Sequence, residues 1–190
     1  VCENGFYPVD ALIVGAGFRP NTSLFQSPQL KTLPNGAILI DEYGRTSIPD
    51  VFSAGDCASV PHRQRGDVYL PLATSANKIG RIVGENFFAD EKHLVAYEGS
   101  LGSSQVKIGD YEFASTGLTQ QQAESMGLSI KTTCIDAQNH AGYWPNPSLL
   151  KIKLVYEADS KKIVGAQLGG KDGAALRLSA YTTAIYAGLT

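Results

Sequence analysis

Three cysteines in 190 residues, Cys2, Cys57 and Cys134, are too few and too widely spaced for a disulfide framework, and no Cys-x-x-Cys pair occurs. Such usage suits a reducing compartment, and a cytoplasmic location is expected. The three histidines, His62, His93 and His140, are scattered, and no His, Cys, Asp and Glu cluster has metal-ligand spacing, so no metal is expected. Basic residues are not in excess: 16 Lys and Arg face 18 Asp and Glu, a net charge of -2, which argues against a nucleic-acid partner. No apolar run approaches the roughly 20 residues needed to span a bilayer. The chain opens Val1-Cys2-Glu3-Asn4 with neither an initiator Met nor a signal-peptide pattern, and is expected to begin inside a longer protein. What is present is ordinary for a globular chain: 43% hydrophobic and 18% charged residues, enough for one large core or two modest ones.

The hydrophobic pattern divides the chain into three segments. In the first, Asp10–Val14 is an apolar run that predicts a buried strand, leading into Gly15-Ala16-Gly17-Phe18-Arg19-Pro20. In the second, strands are predicted at Gly36–Asp41, after an Asn-Gly turn, and at Asp50–Ala54. A loop rich in Pro, His and Arg follows. A helix is expected after Pro71, with Ala76, Ile79, Val83 and Phe87 as its apolar stripe and Gly80 and Gly84 allowing a close neighbour. The third segment predicts a hairpin, Gln105–Ile108 and Glu112–Thr116 around Gly109-Asp110. A capping box at Thr119–Gln122 opens a short helix that Gly127 ends. Strands at 130–135, 149–157 and 163–168 and a helix over Ala174–Ala187 complete a compact α+β unit.

Gly15-Ala16-Gly17 after an apolar run begins like a Gly-x-Gly-x-x-Gly dinucleotide fingerprint, which requires a helix to start at once. Pro20 occupies the third glycine position and Arg19, preceding it, is pushed away from helical angles, so a loop crossing between domains is the better reading than a phosphate-binding turn. Thr46–Asp56 is more specific. A strand ending in Gly55-Asp56 delivers a carboxylate at a sheet edge, able either to accept a hydrogen bond from a sugar-like hydroxyl or merely to cap the next turn. Leu70-Pro71-Leu72-Ala73-Thr74 opens the amphipathic helix, whose free N–H groups favour negative charge; an ordinary capped helix is the plain alternative.

Thr46–Asp56, with Leu72-Ala73-Thr74 and Lys78-Ile79-Gly80-Arg81, resembles the second flavin motif of the pyridine nucleotide-disulfide oxidoreductases. The resemblance extends over nearly the whole chain. It implies that 1–20 ends an NAD(P)-binding domain, that 21–98 is the C-terminal part of an FAD-binding α/β domain, and that 99–190 is an α+β dimerisation domain with a mainly antiparallel sheet. The branch resembled is that of coenzyme A-disulfide reductase and NADH oxidase. Carried over by motif, Ala54, Gly55 and Asp56 face the ribityl side of FAD, Leu72, Ala73 and Thr74 the flavin ring, Gly17 the nicotinamide of NAD(P)H, and Lys78 the substrate. His140-Ala141-Gly142-Tyr143-Trp144-Pro145, with Gly170–Gly173 and Arg177, resembles the coenzyme A-disulfide reductases. There His140, Tyr143 and Trp144 would act at the partner subunit's active site. One departure is that Trp144 stands where those enzymes have a tyrosine, and an indole supplies no phenolic proton. Another is Gln105, where the oxidase and peroxidase relatives carry Gly.

The implied function is transfer of electrons from NAD(P)H through FAD to a small-molecule disulfide or to O2, in a homodimer, with the redox cysteine outside this chain. Cys57 is then a small packed thiol. A non-catalytic dimerisation or interaction module is the alternative. Because the 190 residues contain no Gly-rich pyrophosphate loop, the chain produced alone is expected to purify without FAD. A flavin absorbance spectrum at stoichiometric occupancy would overturn this.

Overall fold

A five-stranded antiparallel sheet with a helix on each face organises the second half of the chain. In the computed structural model, residues 5–25 and 27–190 are described, so Cys2 lies outside them. The elements are a 3-10 turn Ser23–Phe25, β1 Val60–His62, β2 Gly66–Val68, α1 Ala73–Asn86, β3 Ser104–Ile108, β4 Tyr111–Gly117, α2 Gln120–Ser125, β5 Ile130–Gln138, β6 Leu149–Glu157, β7 Ile163–Gly170 and α3 Ala174–Tyr186. The sheet order is β3-β4-β7-β6-β5. The β3–β4 hairpin turns at Gly109, whose φ of 58° suits a residue without Cβ. β5 is three residues longer than predicted because β6 pairs it along its whole length, from Ile130↔Glu157 to Gln138↔Leu149. Strand length is set by the partner as much as by local sequence.

β6 alternates. Leu150 and Ile152 are buried while Leu149 and Lys151 are exposed. The buried set packs with Ala114, Ala166 and Leu168 against Ala174 and Leu178 of α3. A second cluster, Leu118, Ala123, Val155 and Val164, closes α2 onto the sheet. The predicted capping box is present, with Gln122 N–H donating to Thr119 Oγ1 at 3.2 Å and Thr119 N–H to Gln122 Oε1 at 3.0 Å. Gly165 has no room for a side chain, since a Cβ there would lie 1.7 Å from the Leu118 carbonyl oxygen.

The first half is built differently from the expectation. Gly36–Asp41 and Asp50–Ala54 do not form strands and make only single bridges, Ile38 with Thr32 and Ala58, and Phe52 with Arg45. The ladder stops because its next donor is diverted: Ile40 N–H donates to the Ser59 hydroxyl at 3.2 Å instead of a backbone carbonyl. The apolar content is buried nonetheless, and Ile40, Ala58 and Val60 pack on Ile79 of α1. Asp10–Val14 is not a strand. Its side chains are exposed, Ile13 at 95%, and no described strand lies beside it to pair its backbone. The Pro-, His- and Arg-rich loop holds the β1–β2 hairpin, with Pro61 opposite Asp67.

α1 begins where predicted. Of its stripe, Ile79 is buried, Ala76 and Val83 are half-buried, and Phe87 is an exposed C-cap leaning on Phe52 at 5.7 Å between ring centroids. Gly80 and Gly84 do not receive the close neighbour expected of them; a Cβ at either would meet nothing within 4 Å. The close approach comes from the opposite side, where a Cβ on Gly44 would sit 2.3 Å from Val83 Cγ2.

The β1–β2 turn joins the two halves. Ser100 N–H donates to the Pro61 carbonyl and Arg63 N–H to the Ser100 carbonyl, both at 2.9 Å. Gln64 Nε2 donates to the Val164 carbonyl at 2.9 Å. Arg63 Nη1 donates to the Glu98 carbonyl at 2.7 Å, and its guanidinium lies over the Tyr186 ring. Inside the turn His62 is buried, and its Nδ1 accepts from Gln64 N–H at 3.2 Å. Burial, and then the charge of Arg65, hold its pKa below the usual 6.5, partly offset by a hydrogen bond to the Leu101 carbonyl. A His whose folded-state pKa is lowered is neutral when folded. Its contribution is therefore complete above pH 6.5 and is lost as pH falls through the lowered value. The melting temperature of the chain is expected to decline between pH 7 and 5, and less steeply in His62→Asn, whose Oδ1 keeps the acceptor without titrating. Parallel declines in both proteins would refute this.

Candidate functional site

Two features meet on the cluster around Ile79. Ala54 and Leu70 pack against it, and between them the chain turns at Gly55, in the left-handed region at φ 84°, and presents Asp56. The Asp56 carboxylate is exposed and accepts no hydrogen bond from the described residues, so it does not cap the turn that follows it. It acts on Tyr69, whose phenol is held above its usual range first by desolvation and then by Asp56 and Cys57.

The second feature is the start of α1. Leu72 is its N-cap, in an extended conformation with no side-chain cap, and no acidic residue occupies the first turn. The N–H groups of Ala73, Thr74 and Ser75 have no partner among the described residues, and α1 brings its dipole to that end. Leu72, Ala73 and Thr74 line a cavity of about 560 Å³ with Ser103, Ser104, Gln105, Ser179 and Thr182. Sequence reasoning did not find the hydroxyls of this wall. Ser103 Oγ lies 2.7 Å from Thr116 Oγ1 and 3.1 Å from Thr182 Oγ1, a network joining residues up to 79 apart that no local pattern announces.

Lys78 is exposed and lines a neighbouring cavity of about 640 Å³ with Arg63, Arg81, Tyr97, Glu98 and Tyr186. Among the described residues neither Lys78 nor Arg81 is in a salt bridge, whereas Glu98 is engaged by Arg63 and accepts from the Tyr186 hydroxyl at 2.8 Å. The groove is therefore net positive. Gly17 lies in the exposed N-terminal segment with φ 95° and open space around it. No helix follows Pro20; the chain stays irregular to the 3-10 turn at Ser23.

His140, Tyr143 and Trp144 lie elsewhere, on the loop between β5 and β6. His140 lines a cavity of about 610 Å³ with Glu112, Asn139, Asp172 and Arg177. Tyr143 and Trp144 are exposed at the loop's tip and line neither this cavity nor that of Leu72–Thr74. The two cavities adjoin through Gln105 and Ser179, but the chain does not itself bring His140 to the first turn of α1. Among the described residues no group of three or more His, Cys, Asp and Glu could hold a metal ion, and no helix is long and apolar enough to cross a membrane.

This arrangement, an exposed carboxylate and an open helix start, is found on a chain that belongs to the pyridine nucleotide-disulphide oxidoreductase family. The family's sequence model matches residues 2–80, and that of its dimerisation domain matches 103–190. The chain is 37% identical to an NADH oxidase from Enterococcus faecalis over 166 residues, 87% of this chain and 36% of that protein. It is 32% identical to a CoA-dependent NAD(P)H sulfur oxidoreductase from Pyrococcus furiosus over 173 residues, 90% of this chain and 38% of that protein. An NAD-dependent persulfide reductase from A. fulgidus superposes with a TM-score of 0.90 at 34% identity, covering 98% of this chain and 34% of that one. The chain thus spans little more than a third of the length of the relatives it matches.

Cys57 is half-buried, donates to the Ala54 carbonyl at 3.3 Å and sits 3.7 Å from Ser53 Oγ. These contacts suit a packed thiol. In the full-length protein, Cys57→Ser is expected to leave any turnover largely intact; loss of most activity in a protein that still folds would place a reactive centre here.

Proposed function

We propose that this chain is the C-terminal part of an FAD-dependent NAD(P)H oxidoreductase that passes electrons from NAD(P)H through FAD to a disulfide, such as coenzyme A disulfide, or to O2. In this reading 1–20 ends the NAD(P)-binding domain, 21–98 completes the FAD-binding domain, and 99–190 pairs two subunits about a two-fold axis in the cytoplasm. The observations that carry it are an unpartnered Asp56 carboxylate and an uncapped start of α1, each two residues beyond a side chain, Ala54 or Leu70, that packs on one apolar cluster. These groups fit FAD. Ala54 and Gly55 bring the backbone to the ribityl chain, and Asp56 accepts a hydrogen bond from one of its hydroxyls. Leu72, Ala73 and Thr74 offer main-chain N–H groups to the carbonyl oxygens and developing negative charge of the flavin's pyrimidine edge. FAD itself supplies the capacity to take a hydride and release electrons singly or in pairs; the protein supplies position and field.

Gly17 gives the nicotinamide side a residue without Cβ. Lys78, in the net-positive groove, holds a phosphate of the substrate as a point charge. Because His140, Tyr143 and Trp144 lie apart from the first turn of their own α1, the loop is suited to act in the partner's site. There Tyr143 can hand a proton to a departing thiolate, a role the Trp144 indole cannot fill.

The test is NAD(P)H consumption by the full-length enzyme with O2 and with coenzyme A disulfide; no flavin reduction by NAD(P)H would end the proposal. Asp56→Ala is expected to weaken FAD binding by about 1.5–3 kcal/mol, the worth of a charge-assisted hydrogen bond. An unchanged FAD dissociation constant would remove Asp56 from the site.

A further inference from the structure

We infer that Asn139, Asp172 and Arg177 form a base that positions the His140–Pro145 loop, and so set how His140, Tyr143 and Trp144 meet the electron acceptor. The inference rests on the functional reading above.

The loop has little order of its own. Residues 141–147 are exposed, and its internal main-chain bond is Trp144 N–H to the Ala141 carbonyl at 2.9 Å. Its geometry must come from where it is rooted. The β5–β6 ladder ends at Gln138↔Leu149, and Asn139 extends it by one rung, its N–H donating to the Ser148 carbonyl at 2.9 Å. The Asn139 side chain then works as a fork. Oδ1 accepts from Ser148 N–H at 2.8 Å, and Nδ2 donates to Asp172 Oδ2 at 2.7 Å, in the turn between β7 and α3. From the first turns of α3, Arg177 Nη2 donates to the carbonyls of both Gln138 and Asn139. The root of the loop is thereby fastened to the start of α3 at the carbonyls immediately before His140.

Each residue type is specific to its task. Asn offers an acceptor and a donor on one planar group; Asp in its place has no donor for Asp172 and sets two carboxylates together. Arg spans neighbouring carbonyls with a planar array that Lys cannot reproduce. The start of α3 is itself fixed, since Ala175 N–H donates to Glu112 Oε2 on β4 at 3.2 Å. The base is thus continuous with the sheet. Asn139, Asp172 and Arg177 are positioning residues; none is assigned a contact with substrate.

A base of this kind affects a large, oriented acceptor and spares a small diffusible one, since misplacing a reacting group by about 1 Å costs about a hundredfold. In the full-length, FAD-loaded enzyme, Asn139→Asp and Arg177→Met are expected to leave anaerobic flavin reduction by NAD(P)H and turnover with O2 within about twofold. The same variants should lower kcat/KM for coenzyme A disulfide by about tenfold to a hundredfold, with Arg177→Lys intermediate. If Arg177→Met does not fold, Asn139→Asp, which conserves side-chain volume, carries the test. Equal loss of both turnovers, or an unchanged kcat/KM for the disulfide, overturns the base while leaving the functional reading intact. A wild-type enzyme that reduces its flavin but has no disulfide turnover also overturns the base alone. A wild-type enzyme whose flavin NAD(P)H does not reduce overturns both.

Discussion

Burial of Ile79 is the contact on which the first half of the chain closes. Few of its segments form regular strands, and others touch by single bridges, so backbone pairing alone does not hold it. What does is one apolar cluster, with Ile40, Ala58 and Val60 against Ile79 and with Ala54, Leu70, Val83 and Tyr97 around it. A buried side chain of this size contributes about 1.5–3 kcal/mol. Here the contact also fixes geometry, because Ala54 leads into the Asp56 turn and Leu70 leads into α1. Had the helix packed a turn further along, Asp56 and the open N–H groups would no longer share a side.

The second half depends on that contact through the β1–β2 turn. Val60 is in the cluster, and two residues on, His62 begins the turn that holds the connector, β7 and the end of α3. Side-chain hydrogen bonds from the turn reach Glu98, 35 residues away, and Val164, 100 residues away. The α+β unit is therefore registered on α1 by polar contacts in a short hairpin, not by a continuous core. Polar contacts of this kind are individually worth about 0.5–1.5 kcal/mol, but they are directional, which suits a joint that must set an orientation.

The second half was the more legible in the sequence, and for a physical reason. Its elements are local: a Gly-Asp hairpin, a Thr119–Gln122 capping box, and strands such as β4 and the start of β6 whose alternation is visible. The first half misled because apolar runs such as Asp10–Val14 and Gly36–Asp41 state that residues are apolar, not that a partner strand is at hand. Pro61 concealed β1, although an antiparallel pair of three residues tolerates it. At the candidate site, Asp56 and Leu72–Thr74 are proposed from two short local motifs, Thr46–Asp56 and Leu72–Arg81. The hydroxyls of Ser103, Thr116 and Thr182 and the fastening of the loop by Asn139 and Arg177 could not be derived, since they join residues tens of positions apart.

Among the described residues, the three α-helices begin in different ways. α2 is closed by its own capping box. α3 begins at Gly173 with no side chain to offer, and Glu112 reaches from β4 to accept from Ala175 N–H. α1 begins at Leu72, equally without a cap, and no described residue reaches across to it. Among the described residues, α2 and α3 each have one first-turn N–H satisfied by a side chain and α1 has none, and such an open start favours something that accepts hydrogen bonds and bears negative charge. Asp56 is the complementary case, an acceptor without a donor. A ligand that satisfied both would carry carbonyl-like acceptors and hydroxyl donors. A flavin with its ribityl chain, the cofactor that the family resemblance implies, carries both kinds of group.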